Sequence, residues 1–233
     1  MQVSGIYGIQ HLVFVAVTVL FIAAGSVLVK RSGNENRERI VRGSALFLLI
    51  WITINRVSVT VDQMHRQPEL YSWLNLLPYT FCGTASIVMS LSTLFGKENN
   101  IVLHFIWYFG LFGAVATLAY PDFLAVESFW DLHCFSGLMH HAALLWLCVV
   151  TLLTRWFIPD RNRWFVYPCG YVLVLLMGLF ELKVLRFPEA MNLTAPLLPE
   201  LPVLSSWYSV GIVSSLTVIA IIRVYEGMNR NRQ

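Results

Sequence analysis

The groups in this sequence able to do covalent chemistry are few: four cysteines and six histidines in 233 residues. Cys82 has the most specific setting. It follows Leu77-Pro78-Tyr79-Thr80-Phe81 and precedes Gly83, Ala85 and Ser86. That pattern reads as a helix start with proline in the first turn. A thiol placed there feels the positive end of the helix dipole, which favours the nucleophilic thiolate. A nearby histidine would strengthen the effect, and the small residues would let a partner helix or a substrate come close. The competing reading is an inert, buried structural cysteine.

The remaining polar groups stand out because so little charge surrounds them. Only 12% of residues are charged and 57% are hydrophobic, against roughly a quarter charged in a soluble domain. This excludes a soluble enzyme, a disordered chain and a nucleic-acid binder. Residues 1–29, 70–96, 99–121, 132–154, 164–180 and 201–222 contain no Asp, Glu, Lys or Arg, and 43–61 carries only Arg56. A helix needs about 20 apolar residues to cross a bilayer. The runs are continuously apolar rather than alternating, which indicates helices. The expectation is all-α: a polytopic membrane helical bundle in one domain, with seven transmembrane helices near 8–29, 44–61, 77–95, 101–120, 133–154, 165–183 and 204–223. The first is not a cleaved signal peptide, because no basic segment precedes it and Lys30 and Arg31 follow it.

With seven spans the two termini fall on opposite sides. Lys30, Arg31, Arg37, Arg39, Arg42, Lys97, Arg155, Arg161, Arg163, Arg223, Arg230 and Arg232 share one side, while Arg56, Arg66, Lys183 and Arg186 lie towards the other. Basic residues favour the cytoplasm, so the N-terminus is expected outside and the C-terminus inside. The loops near 62–76 and 184–203 are then external. The second holds Pro188, Pro196, Pro199 and Pro202 and is expected to form an irregular cap. It also contains the sequon Asn192-Leu193-Thr194.

This topology assigns each polar group a depth. His11, Asn55, Arg56, Cys82, Asp122, Asp131, His133, Cys134, His140, His141, Glu181 and Lys183 fall in the outer half, with His104 the main exception. Such clustering points to a polar cavity open to the outer side, since ionisable groups at membrane depth are costly. Snorkelling to the interface competes for Arg56, His11 and His133 and is the default for Asp122, Asp131, Glu181 and Lys183. His140 and His141 are too deep and short to snorkel, and with adjacent residues about 100° apart, one of them is expected to face the interior. Cys134 shares the level of Cys82, so a disulfide is conceivable. Cys148 and Cys169 read as structural. His133 with His140 or His141, plus His11, is a weak metal set without paired spacing, and no cofactor is expected.

Leu77-Pro78 with Cys82 four residues after the proline resembles a bacterial integral-membrane family typified by YwaF, related to eukaryotic transmembrane protein 164. So do Tyr108-Phe109-Gly110-Leu111-Phe112-Gly113-Ala114, the closing Tyr120-Pro121-Asp122, His140-His141 in the fifth span and His11-Leu12 in the first. The likeness is good over 75–150 and loose in the first span. The sixth span departs, with Glu181 and Lys183 where the family tends to carry Asn and Lys-Pro.

The resemblance implies an intramembrane Cys/His lipid acyltransferase or hydrolase with membrane lipids as partners, in a bacterial plasma membrane. Cys82 would be the nucleophile and His141 the base, with His140 nearly as good. Arg56 or Lys183 would bind the lipid phosphate, with Asn55 and His11 also in the substrate set. The alternative is a transporter or a lipid-binding subunit whose outward cavity depends on Arg56 rather than on the thiol.

Overall fold

The computed structural model describes residues 5–196 and 201–230; Pro199 and Arg232 lie outside them. The helices are α1 (Ile9–Arg31), α2 (Asn34–Arg66), α3 (Phe81–Phe95), α4 (Leu103–Ala119), α5 (Leu132–Leu153), α6 (Val166–Lys183) and α7 (Trp207–Arg230), with 3₁₀ turns at Trp73–Leu76, Asp122–Ala125 and Arg161–Arg163. Among the described residues there is no strand. Among the described residues, six helices are long and apolar enough to cross a membrane, and α3, at 15 residues, is shorter.

Most boundaries fall close to the apolar runs, but three differ. Helix α2 has 33 residues rather than the span 44–61. Nothing breaks it between Gly33 and Gln67, and Glu38–Arg42 and Asp62–Arg66 ion pairs, each one turn apart, support its polar ends. Helix α3 begins at Phe81, not at 77. Leu77 is extended (φ −59°, ψ 144°), as the residue before a proline prefers. Thr80 rather than Pro78 starts the helix, its hydroxyl accepting from Gly83 N at 3.1 Å. Helix α7 begins three residues later than expected and runs on to Arg230.

Contacts to α2 set the directions. Along it, Arg42 reaches Leu94 O and Arg56 reaches Leu77 O, so α2 and α3 are antiparallel. Trp146 Nε1 donates to Ser44 Oγ and Asn55 Nδ2 to His133 O, so α2 and α5 are antiparallel too. Helices α3 and α5 therefore run parallel. The end at which α1, α3 and α5 begin is the upper end below.

Helix α5 is the most enclosed and α1 the least, with 61% against 11% of their apolar windows buried. Glycines permit the tightest crossings. Gly25 of α1 faces the Trp146 indole, and Gly110 of α4 faces Leu144. At the lower end the aromatic layer of Trp107, Tyr108, Phe157 and Tyr167 is buried. Helix α7 lies on the first half of α6, where Tyr171 OH donates to Trp207 O at 2.6 Å. The segment after α6 folds over the upper end: Met191 N donates to Tyr79 O at 2.8 Å, and Phe187 meets the Tyr79 ring edge-on.

Candidate active site

The Cys82 side chain is half-buried on the first turn of α3 and points at α4. A Cβ on Gly113 would lie 2.8 Å from its sulfur, so the absence of a side chain there makes the room that the thiol occupies. The Thr117 hydroxyl, one turn along α4, is its hydrogen-bonding neighbour. Cys82 and Cys134, conceivable disulfide partners by level, are not joined; all four cysteines are free. Cys169, read as structural, is instead exposed, because the closed faces of α6 are taken by Tyr167, Gly170 and Tyr171.

His140 and His141 are both buried, at 4% and 6% exposure. This corrects the expectation that one faces inward. Each ring folds back along α5: His140 Nδ1 donates to Ser136 O at 3.3 Å, and His141 Nδ1 to Gly137 O at 2.7 Å. The centroids are consequently 3.9 Å apart. With the proton on Nδ1, Nε2 is the free lone pair. Neither Nε2 has a partner among the described residues.

Helix register relates the thiol to these rings. Cys148 of α5 touches Met89 of α3, sulfur to sulfur at 3.9 Å, and its thiol also lies 3.6 Å from Trp107 O of α4. Cys82 is seven residues before Met89, and His141 is seven before Cys148. On parallel helices, both then lie about 10 Å above that contact. His141 also shares the face of Cys148 to within roughly 20°, the face turned to α3 and α4. His140 is turned towards α2, where it feels the Arg56 charge.

Arg56 is 5% exposed and does not snorkel. Its guanidinium donates to the carbonyls of Asn75 and Leu77, and it lies 4.4 Å over the Tyr79 ring. It thus braces the extended segment that leads to Cys82. Its Nε has no protein partner. Glu181, expected at the interface, is instead 2% exposed with Oε2 unpartnered, close enough to feel Arg56. Sequence reasoning missed it because a carboxylate at the end of an apolar run looks the same whether it faces in or out.

The other predicted residues divide. Asn55 is buried and donates to His133 O at 3.0 Å and Ser136 Oγ at 3.2 Å, tying α2 to α5. His11 is buried and donates to Leu118 O at 3.0 Å, tying α1 to α4. Lys183 is exposed at the upper end of α6 and joins none of these groups. His133 pairs with Glu127 in the α4–α5 loop at 2.8 Å, and among the described residues its ligand atoms gather with those of Glu127 and Cys134 rather than with His11, His140 or His141. Asp122 and Asp131 serve local turns, accepting from Phe123 N and Ser128 N. His104 is buried against the Phe157 ring at the lower end.

A helical integral membrane protein is thereby defined, with a thiol, two imidazoles, an arginine and a carboxylate enclosed near one end of its bundle. The profile of the TMEM164 family matches residues 6–225, nearly the whole chain, and the protein belongs to that family. No curated protein and no solved structure matches it.

Proposed function

We propose that this protein is an intramembrane cysteine acyltransferase acting on phospholipids in the outer half of a bacterial plasma membrane. The bundle spans the membrane seven times, N-terminus outside and C-terminus in the cytoplasm, with α3 as the short span. The observation that carries the reading is the shared register of Cys82 and His141, with the thiol in the space left by Gly113.

His141 Nε2 removes the Cys82 proton, directly or through its neighbour His140. The thiolate attacks an acyl ester carbonyl, the carbon–oxygen bond breaks, and the lysophospholipid alkoxide leaves with the proton held by histidine. The acyl group is then a thioester on Cys82. A second lysophospholipid hydroxyl gives its proton to histidine and attacks the thioester, which expels the thiolate. The first amides of α3, at its positive end, would donate to the developing oxyanion. Lys183 receives the lipid phosphate, and Arg56 holds the segment that presents the thiol.

The test is lipid turnover by purified protein in vesicles. Cys82→Ala and His141→Ala each abolish acyl exchange while the protein remains folded, and Cys82 alone carries a hydroxylamine-labile acyl group. Full exchange by folded Cys82→Ala refutes the reading.

A further inference from the structure

A second cluster lies at the upper end, apart from Cys82 and His141. Glu127 in the α4–α5 loop meets the first turn of α5, where His133 and Cys134 are consecutive. Its Oε2 lies 2.8 Å from His133 Nε2 and 3.2 Å from Cys134 Sγ. The three ligand atoms fall within 4.8 Å of one another. Its other oxygen, Oε1, is held by Arg66 NH1 of α2 at 3.1 Å, which turns Oε2 towards the histidine and the thiol.

We propose that Glu127, His133 and Cys134 bind a divalent transition metal of the zinc class. One carboxylate, one imidazole and one thiolate suit such an ion, and they would leave the fourth tetrahedral position open. Between Oε2 and its two neighbours the fit demands little movement. Around zinc, nitrogen and oxygen ligands sit about 3.4 Å apart and sulfur and oxygen about 3.6 Å. Oε2 must therefore draw back from its present neighbours by about half an ångström. Metal binding releases the Cys134 thiol proton to solvent, and the proton that His133 Nε2 donates to Glu127 gives way to the ion: the neutral imidazole carries its N–H on Nδ1 instead and offers the Nε2 lone pair.

The surroundings already orient the ligands. The His133 carbonyl accepts from Asn55 Nδ2 and from Ser136 Oγ, which fixes the backbone where the imidazole is attached. Cys134 is 1% exposed and packs with Leu118, Leu124, Phe129 and Leu138. A cavity of about 270 Å³, lined by Asp62, Gln63, Arg66, Tyr71, Glu127 and His133, opens beside the cluster and gives a metal-bound water or small ligand room. The ion would join the α4–α5 loop to α5 and stabilise the upper end. Loss of this site leaves the Cys82 reading standing, and loss of that reading leaves this one.

The full-length protein in detergent, stripped with chelator, is titrated with Co²⁺ and then Zn²⁺. The expected result is one tetrahedral cobalt per chain with a thiolate-to-cobalt charge-transfer band, displaced by zinc. Cys134→Ser removes the band, and Cys82→Ser, Cys148→Ser and Cys169→Ser retain it. His133→Ala and Glu127→Gln weaken cobalt binding at least tenfold, which keeps the test decisive if Cys134→Ser fails to fold. Zinc raises the melting temperature of the unmutated protein and not of His133→Ala. Absence of a thiolate band at saturating cobalt, or a band that survives Cys134→Ser, overturns the proposal.

Discussion

Gly113→Ala is the sharpest probe of the space in which Cys82 sits. The added Cβ would lie 2.8 Å from the sulfur, against an ordinary contact of about 3.5–4.0 Å, so the thiol must move by about 1 Å. The sulfur ends a one-torsion side chain and can rotate, at about 0.5–1.5 kcal/mol for an off-rotamer position. Helix propensity returns about 1 kcal/mol when alanine replaces glycine, so the two effects nearly cancel in stability. They do not cancel at the nucleophile, where a displacement near 1 Å can cost about a hundredfold in rate. The expectation is a folded variant with a near-normal melting temperature, acyl exchange reduced ten- to a hundredfold, and altered alkylation of Cys82 resolved by peptide mass spectrometry. Gly110→Ala is the control, since its Cβ would meet the apolar Leu144 at 3.0 Å rather than the thiol. Gly113→Ala protein with unchanged exchange and unchanged Cys82 alkylation would refute the geometry and weaken the thioester mechanism with it.

Arg56→Met keeps bulk but leaves the buried Asn75 carbonyl and the part-buried Leu77 carbonyl without this donor, and a buried orphan costs about 1–3 kcal/mol. Denaturant titration in detergent should show a loss of about 2 kcal/mol or more, with acyl exchange lost beyond what stability explains. Asn55→Ala removes the donor to His133 O and Ser136 Oγ; a loss of about 1–3 kcal/mol is expected in the same titration. The third concerns pH. Burial pushes the Glu127 carboxyl up, but hydrogen bonds from Cys134 and His133 and the charges of His133 and Arg66 more than offset it, so it titrates below its ordinary 4.5. A depressed carboxylate stabilises the fold above its unfolded value and loses that contribution as pH falls through the folded value. Metal-free Glu127→Gln should therefore be less stable than the unmutated chain at neutral pH and approach it once pH is taken below 4.5. A gap that persists unchanged in acid would show that the carboxylate charge is not what stabilises this loop.

Much of the helical framework could be read from the sequence because lipid imposes a coarse rule: a continuous apolar run long enough to span must be helical. That rule finds α1, α4, α5 and α6 within a few residues. It misjudges α2, whose polar ends continue as helix through ion pairs one turn apart, and α3, where the cap at Thr80 outranks the proline signal. The side chains at the site could be read from the sequence by type but not by direction. His140 and His141 share an interior because both rings fold back onto carbonyls one turn earlier, a rotamer effect invisible in a helical wheel. Glu181 and Glu127 were missed for a related reason. Whether a carboxylate at a helix end or in a loop turns inward depends on charges from distant segments, Arg56 near Glu181 and Arg66 on Glu127, and nothing in the local sequence encodes them.

The shortness of α3 connects the buried arginine to the chemistry. Fifteen residues make a helix of about 22 Å, less than the roughly 30 Å of hydrocarbon it is proposed to cross. The deficit lies at the upper end, where Ser72–Thr80 is 3₁₀ and extended. Non-helical backbone at membrane depth is tolerated only where protein or water satisfies it. Here Arg56 takes the carbonyls of Asn75 and Leu77, Thr84 Oγ1 takes that of Pro78 at 3.0 Å, and Met191 N takes that of Tyr79. Because these donors come from the protein, the start of α3 can sit below the surface instead of at it. The positive end of the helix, with Cys82 on its first turn, is thereby sunk to the level of His141. A full-length α3 would have carried its N-terminus to the headgroups, where a thiolate would meet water before it met an acyl ester. On the proposed topology, the buried cation is best understood through what it permits: a helix N-terminus, and the proposed nucleophile on it, placed inside the bilayer.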